Sequence, residues 1–109
     1  MSYNVKILPS FEKELKWLAK KYPSLKNEYF SMVQSLKEKP EQGTSLGNHC
    51  FKIRLSIASK GKGKSGGARV ITYIQVKETT VYLLSIFDKS EKENISDKDI
   101  RLLLDQIPD

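Results

Sequence analysis

A chain of 109 residues with 39% hydrophobic and 29% charged residues has the length and composition of a single globular domain. No apolar run approaches the roughly 18 residues of a membrane span, no secretory signal opens the chain, and one cysteine excludes an internal disulfide. We therefore expect one cytoplasmic domain over residues 1–109, with no membrane association. The net charge of +6 is concentrated in residues 42–77, which contain seven Lys or Arg and no Asp or Glu, and this favours a polyanionic partner.

The first half of the chain predicts one strand and two helices. Alternating apolar residues in SYNVKIL indicate a short strand, which Pro9 should end. Apolar residues then recur at helical spacing in two segments, with Ser10 and Ser24 as candidate N-caps. Because the connection between them is short, the two helices should form an antiparallel hairpin. The next segment, EKPEQGTSLGNH, has the composition of a loop.

The second half predicts three strands and a final helix. In CFKIRL, apolar residues alternate with Lys52 and Arg54, as in a strand with one face on a core and one in solvent. GARVITYIQV and TVYLLSIF are rich in β-branched and aromatic residues and should form two more strands. Ser96 and Asp99 can cap a helix whose apolar residues begin at Ile100.

Together these elements predict an α+β fold with the order β-α-α-β-β-β-α. Three consecutive strands should form an antiparallel meander that the first strand joins, and the helix hairpin should cover the apolar face of this mostly antiparallel sheet. Lys52 and Arg54 should then lie on an open opposite face, with Arg69 nearby on the adjacent strand.

The segment ASKGKGKS resembles a phosphate-binding loop, but Ala58 stands in place of the first glycine and a strand follows where a helix is required. A flexible basic loop that approaches a phosphodiester chain is the favoured interpretation. This makes Lys60, Lys62 and Lys64 candidate RNA-binding residues. The single histidine and single cysteine have no partner at ligand spacing, so we expect no metal site and no cofactor.

The remaining candidates are four cations: Lys52, Arg54 and Arg69 on the strands and Lys89 just after the last strand. Arginine and lysine can bind a phosphate and stabilise the charge that develops on it during a reaction. A lysine among other cations can also serve as a base. Residues 50–74 contain no carboxylate pair that could hold metal ions. The chemistry of these cations therefore fits RNA, whose 2′-OH can attack the adjacent phosphate without a metal.

Four segments resemble, in the same order, the RelE/HigB branch of the RelE/ParE superfamily, the toxins of type II toxin–antitoxin pairs. They are FEKELKWLAKKYPSLKNEYFSMVQSLKEKPEQGTSLG, CFKIRL, GGARVITYI and LLSIFDKSEKENIS. The resemblance implies the compact RelE-like fold and an enzyme, a metal-independent, ribosome-dependent endoribonuclease (mRNA interferase) that inhibits translation. It also implies three partners: the ribosome, mRNA and a cognate antitoxin, with or without a helix-turn-helix of its own.

The resemblance assigns roles to the four catalytic candidates by position. Lys52 and Arg54 match the paired basic positions that act as base and phosphate binder. Arg69 matches the arginine that stabilises the transition state, and Lys89 matches a cation that acts as acid or stabilises the leaving group.

The resemblance also leaves one role unfilled. The tyrosine that stacks on the mRNA base in RelE-like toxins falls on Ile95 of this chain. Either the base is oriented more loosely, or Phe87 or His49 supplies the stacking surface, and Lys92 completes the set of candidate RNA-binding residues.

Two other functions remain open. A non-catalytic gyrase inhibitor like ParE would have the same fold, but it would not need Lys52, Arg54 and Arg69 together. A simple RNA-binding module would lose only some affinity on substitution of Lys52, whereas an endoribonuclease would lose its activity.

Overall fold

The computed structural model describes residues 2–60, 66–92 and 94–108, which form a five-stranded sheet with helices on both faces. The elements in chain order are β1 (Asn4–Ile7), α1 (Pro9–Lys21), α2 (Leu25–Glu38), β2 (Thr44–Gly47), β3 (Cys50–Leu55), a 3-10 turn (Ala58–Lys60), β4 (Ala68–Gln75), β5 (Thr80–Asp88) and α3 (Asp97–Leu104). Within these ranges, the structure contains no helix of the length and apolarity that crossing a bilayer requires.

The strands are arranged in the order β1-β5-β4-β3-β2. Only β1 is parallel to its neighbour, β5, and the other neighbouring pairs are antiparallel. The predicted α+β fold, with a mostly antiparallel sheet and a β3-β4-β5 meander, is therefore confirmed.

One strand was missing from the predicted order. β2 lies in the segment for which the sequence predicted a loop, and it pairs with β3 through a two-residue turn at Asn48 and His49. Both turn residues have positive φ, 52° and 62°, as the tight turns that match the twist of a hairpin require. The turn has no glycine at its two central positions, so the usual sequence signal was weak.

The helix starts follow the predictions in part. α1 begins at Pro9 and not after Ser10, because proline at the first helical position already has a helical φ and needs no N–H partner. α2 begins directly after Ser24, whose hydroxyl donates to the side chain of Glu28 and does not cap an amide of the helix itself. Ser96 caps α3 as predicted, accepting a hydrogen bond from the Asp99 amide at 3.1 Å.

The main core lies between the helix hairpin and the sheet, as predicted. Fully burying an aliphatic or aromatic side chain of this kind stabilises the fold by roughly 1.5–3 kcal/mol. Its members come from both helices and three strands and include Phe11, Leu18, Leu25, Leu36, Ile53, Val70 and Leu83.

The opposite side of the sheet, called here the second face, carries α3. Ile100 of this helix joins Ile71, Leu84 and Phe87 of β4 and β5 in a second apolar cluster. The prediction that this face is open is therefore wrong where α3 lies, because the amphipathic helix buries its own apolar stripe there. On β3, Arg54 remains exposed and Lys52 is half-buried.

Candidate functional site

Two arginines lie opposite each other on β3 and β4. Arg54 pairs with Arg69 in the antiparallel ladder, and Arg69 pairs in turn with Phe87 of β5. Paired residues point to the same side of a sheet, so these three side chains form one row on the second face, called here the arginine row. Like charges placed directly opposite are destabilising, and an anion bound between them reverses that effect. Two guanidinium groups side by side are compatible with an oxyanion ligand such as a phosphate.

The two arginines differ in exposure. Arg54 reaches solvent, whereas Arg69 is only 1% exposed and is the largest of the fully buried side chains in the described residues. The Nη1 atom of Arg69 donates a hydrogen bond to the carbonyl of Ala68 at 3.2 Å. The expectation that Arg69 lies on an open face is therefore wrong, because β4 is a central strand with a neighbour on each side.

Lys52 lies on the same side of β3 as Arg54, two residues earlier, as the sequence alternation predicted. Its ammonium donates a hydrogen bond to Oδ1 of Asn94, in the segment between β5 and α3. An amide is a neutral partner, so this contact orients the lysine without neutralising its charge.

Lys60 is engaged elsewhere and does not contribute to a free basic loop. Its ammonium forms an ion pair with the fully buried carboxylate of Asp88, and its own side chain is only 11% exposed. The turn that carries Lys60 is held against α2, because Glu28 accepts from the Ala58 amide and Ser24 accepts from the Ser59 amide. The expectation that Lys60 contacts RNA is not met, and Lys62 and Lys64 lie outside the described residues.

The candidate stacking residues are not placed to stack on a base. Phe87 is 5% exposed, and the ammonium of the exposed Lys92 lies 4.7 Å from the centre of its ring. Ile95 packs against the second apolar cluster. His49 lies in the β2–β3 turn, roughly 16 Å along β3 from Arg54. The structure therefore leaves Phe87 little surface for stacking and places His49 far from the arginine row, and the replacement of the family tyrosine stays a prediction.

Lys89 directly follows β5 and is half-buried. Its amide donates to the carbonyl of Gly67 at 3.0 Å, which extends the contact between the β4 and β5 chains past the arginine row. The backbone at Lys89 is thus fixed beside the row.

Asp88 was not among the predicted site residues, although it is fully buried and strongly bonded. It accepts hydrogen bonds from the Tyr22 hydroxyl at 2.7 Å, from the Ser90 amide at 2.9 Å and from the Ser90 hydroxyl at 2.8 Å, besides its pair with Lys60. Burial alone would raise the pKa of Asp88, but the hydrogen bonds from Lys60, Ser90 and Tyr22 outweigh it and hold the pKa below its ordinary value. These four residues are called here the Asp88 cluster.

The sequence contained one local signal for this cluster. Asp followed two positions later by Ser after a strand is typical of a turn that the aspartate closes on itself. Tyr22 and Lys60, however, are 66 and 28 positions from Asp88, and no local pattern connects residues so far apart.

The described residues include no group of three or more His, Cys, Asp or Glu side chains placed to hold a metal ion. Cys50 is buried in the second apolar cluster, and burial raises the pKa of its thiol to about 11. The thiol is therefore protonated at neutral pH and is a packing residue.

Comparison with known proteins gives a family match over most of the chain. The family model described as the RelE toxin of the RelE / RelB toxin-antitoxin system matches residues 11–106. Among solved structures, a double mutant of the E. coli toxin RelE in the free state is similar over 99% of this chain and 100% of that chain, with a TM-score of 0.63 and 15% identity.

Two toxin–antitoxin complexes contain chains of the same fold. The intact E. coli RelBE complex matches 80% of this chain and 96% of that chain, with a TM-score of 0.61 and 17% identity. The RelBE2 complex from Mycobacterium tuberculosis matches 81% of this chain and 99% of that chain, with a TM-score of 0.59 and 17% identity. At these sequence identities, the structural similarity shows only that the fold is shared.

Proposed function

Since the chain belongs to the RelE toxin family of type II toxin–antitoxin systems, we propose that it is an mRNA endoribonuclease that acts on the ribosome, in the cytoplasm, and inhibits translation. The observation that carries the proposal is the pairing of Arg54 with Arg69 across β3 and β4, with Lys52 on the same face. Three cations grouped in this way fit one phosphate of a nucleic acid chain.

The proposed reaction needs no metal, because its nucleophile belongs to the substrate. The 2′-OH loses its proton, its oxygen bonds to the adjacent phosphorus, and the bond from phosphorus to the 5′ oxygen of the next nucleotide breaks. That 5′ oxygen takes up a proton, so the products end in a 2′,3′-cyclic phosphate and a 5′-OH. Negative charge grows on the phosphate oxygens in the transition state, where the two guanidinium groups stabilise it.

The burial of each side chain suggests how the roles divide. Arg54 is exposed and binds the incoming phosphate directly, whereas the buried Arg69 lies beside it in the row and stabilises the developing negative charge through its fixed positive charge, without contacting the substrate. Lys52 is the candidate acceptor of the 2′-OH proton, and Lys89 is the candidate donor to the leaving oxygen. Lys92, which is exposed near the same end of β5, is kept as a candidate RNA contact.

A cognate antitoxin is part of the proposal. Two of the similar structures, one from E. coli and one from M. tuberculosis, are complexes of a toxin with its antitoxin. A cell that makes such an enzyme must neutralise it, and the positive surface around Arg54 suits a partner with acidic or apolar segments.

The test maps mRNA ends by primer extension in cells that express the wild type, Arg54→Ala or Arg101→Ala. Arg54 and Arg101 are both exposed arginines, but Arg101 lies on α3 and outside the proposed site, which makes it the matched control. Losing one donor to a developing oxyanion lowers a rate by about 100-fold or more. We expect discrete breaks inside translated frames for the wild type and Arg101→Ala, and about 100-fold fewer for Arg54→Ala.

Two results would contradict the proposal. Equal breaks in Arg54→Ala would remove the arginine row from the reaction. Growth arrest without any breaks would point to a non-catalytic toxin such as a gyrase inhibitor.

A further inference from the structure

The Asp88 cluster joins three separate parts of the fold at one buried carboxylate. Tyr22 directly follows α1, Lys60 ends the 3-10 turn, and Ser90 lies just past β5. Removing a carboxylate and an ammonium from water costs several kcal/mol, and an apolar pair of similar size often stabilises a fold as well or better. Stability alone is therefore a weak explanation for an ion pair at this position.

Asp88 also determines the course of the chain after β5. Its side chain accepts from the amide and hydroxyl of Ser90, and its backbone carbonyl accepts from the amides of Glu91 at 3.0 Å and Lys92 at 3.2 Å. Residues 88–92 are thus bonded to Asp88 through both its carboxylate and its backbone. Lys89, the candidate proton donor, lies inside this turn.

The same segment leads to the other end of the candidate site. Six residues after Asp88, Asn94 accepts the hydrogen bond from the ammonium of Lys52. On the sheet, Asp88 directly follows Phe87, the neighbour of Arg69 in the arginine row. The turn that begins at Asp88 therefore connects the arginine row, Lys89 and the partner of Lys52.

We propose that Asp88 is a positioning residue for the cleavage reaction. Its carboxylate, fixed by Tyr22 and Lys60, sets the turn over residues 88–92, which places Lys89 at the leaving oxygen and Asn94 at Lys52. The inference rests on the proposed endoribonuclease function. Asp88 itself is fully buried and contacts no substrate, so it acts only through these residues.

The test measures kcat, KM and thermal unfolding for purified wild type, Asp88→Asn and Tyr22→Phe, with ribosome-bound mRNA as substrate. Asp88→Asn keeps the shape of the side chain and removes its charge, whereas Tyr22→Phe removes a single hydroxyl. Glu14→Gln is the control, because Glu14 is a half-buried carboxylate that is also bonded to β5, through the Ser85 hydroxyl at 3.1 Å and the Ile86 amide at 3.4 Å.

A misplacement of catalytic groups by about 1 Å lowers a rate by about 100-fold. We expect Asp88→Asn to lower kcat by about that factor, with KM within about twofold of the wild type, because Arg54, which binds the phosphate, remains in place. Tyr22→Phe should lower kcat by about fivefold. Glu14→Gln removes a charge that burial disfavours, since burial raises the pKa of Glu14, and it should leave kcat unchanged.

Each outcome is decisive. Folded Asp88→Asn or Tyr22→Phe with the kcat of the wild type overturns the inference, as does an equal loss of kcat in Glu14→Gln. If Asp88→Asn does not fold, Tyr22→Phe decides alone. A wild type that cleaves no mRNA contradicts the proposed function and the inference together, whereas a cleaving wild type with unchanged variants contradicts the inference only.

Discussion

Arg54 and Arg69 are the same residue type in one row of the sheet, yet they differ in the conformational entropy that each can still lose on ligand binding. The exposed Arg54 has rotamer freedom to lose when it binds a phosphate, whereas the buried Arg69 has already lost most of it during folding. Substitution of Arg69 would therefore lower stability and activity together. Arg54 is the residue at which the effect on activity can be measured alone.

Asp88 makes the stability of the fold dependent on pH. Its pKa is held below the ordinary value by the hydrogen bonds of its cluster, which outweigh the opposite effect of burial. A lowered pKa in the folded state contributes stability that is fully present above the unfolded pKa of about 4. That contribution is lost as the pH falls through the folded pKa.

The prediction compares wild type with Asp88→Asn by urea unfolding at pH 7, 4 and 3. The wild type should have the higher free energy of unfolding at pH 7, and the difference should shrink steadily below pH 4, because Asp88 takes up a proton in the unfolded state before it does so in the folded state. A difference that is the same at all three pH values would show that the charge of Asp88 does not stabilise the fold.

Single residues also show how far sequence reasoning reaches. The common face of Lys52 and Arg54 was predictable, because alternation along a strand is a local property. The engagement of Lys60 was not, because its partner Asp88 is 28 positions away and becomes its neighbour only when β5 is placed in the sheet.

At the level of elements, the pairing of β2 with β3 places Gly43, which directly precedes β2, against the backbone of Lys52 on β3. Gly43 has a φ of +91°, and a Cβ atom added there would lie 2.2 Å from the carbonyl oxygen of Lys52. Gly47, in the same hairpin, has a φ of +84°, but a Cβ atom there would meet no atom within 4 Å. A substitution at Gly47 therefore introduces backbone strain alone, whereas a substitution at Gly43 introduces the same strain together with a steric clash.

We predict that Gly47→Ala lowers the free energy of unfolding by roughly 1 kcal/mol, because only its positive φ becomes strained. Gly43→Ala should cost at least roughly twice as much, because the Lys52 backbone must also move away. Chemical denaturation of both variants checks this order. Equal losses would mean that β2 can shift away from β3 without cost.

The position of α3 was harder to predict than its existence. Its helical spacing and its Ser96 cap are local, but the face that it covers depends on the sheet. β5 is buried along its whole length from Thr80 to Asp88, and a strand buried on both faces has a continuous apolar pattern. TVYLLSIF has that pattern, so it could have indicated cover on the second face.

At the scale of the whole molecule, the excess positive charge is less available than the sequence total suggests. Among the cations of residues 42–77, Lys60 is neutralised by Asp88, while Lys52 and Arg54 are grouped on the second face with Arg69. The fold and family were predictable, because the order of elements and four consecutive segments agreed. The Asp88 cluster was not, because it consists of contacts between distant segments.

The central claim is that the grouped cations of the second face hold an RNA linkage while its own 2′-OH attacks it. The most direct test is the cleavage of ribosome-bound mRNA that carries one 2′-deoxynucleotide at the position that supplies the 2′-OH. We predict no cleavage at that position, normal cleavage when the deoxynucleotide lies one position away, and a 2′,3′-cyclic phosphate on the normal product. Cleavage of the deoxy-substituted linkage at the ordinary rate would contradict the account.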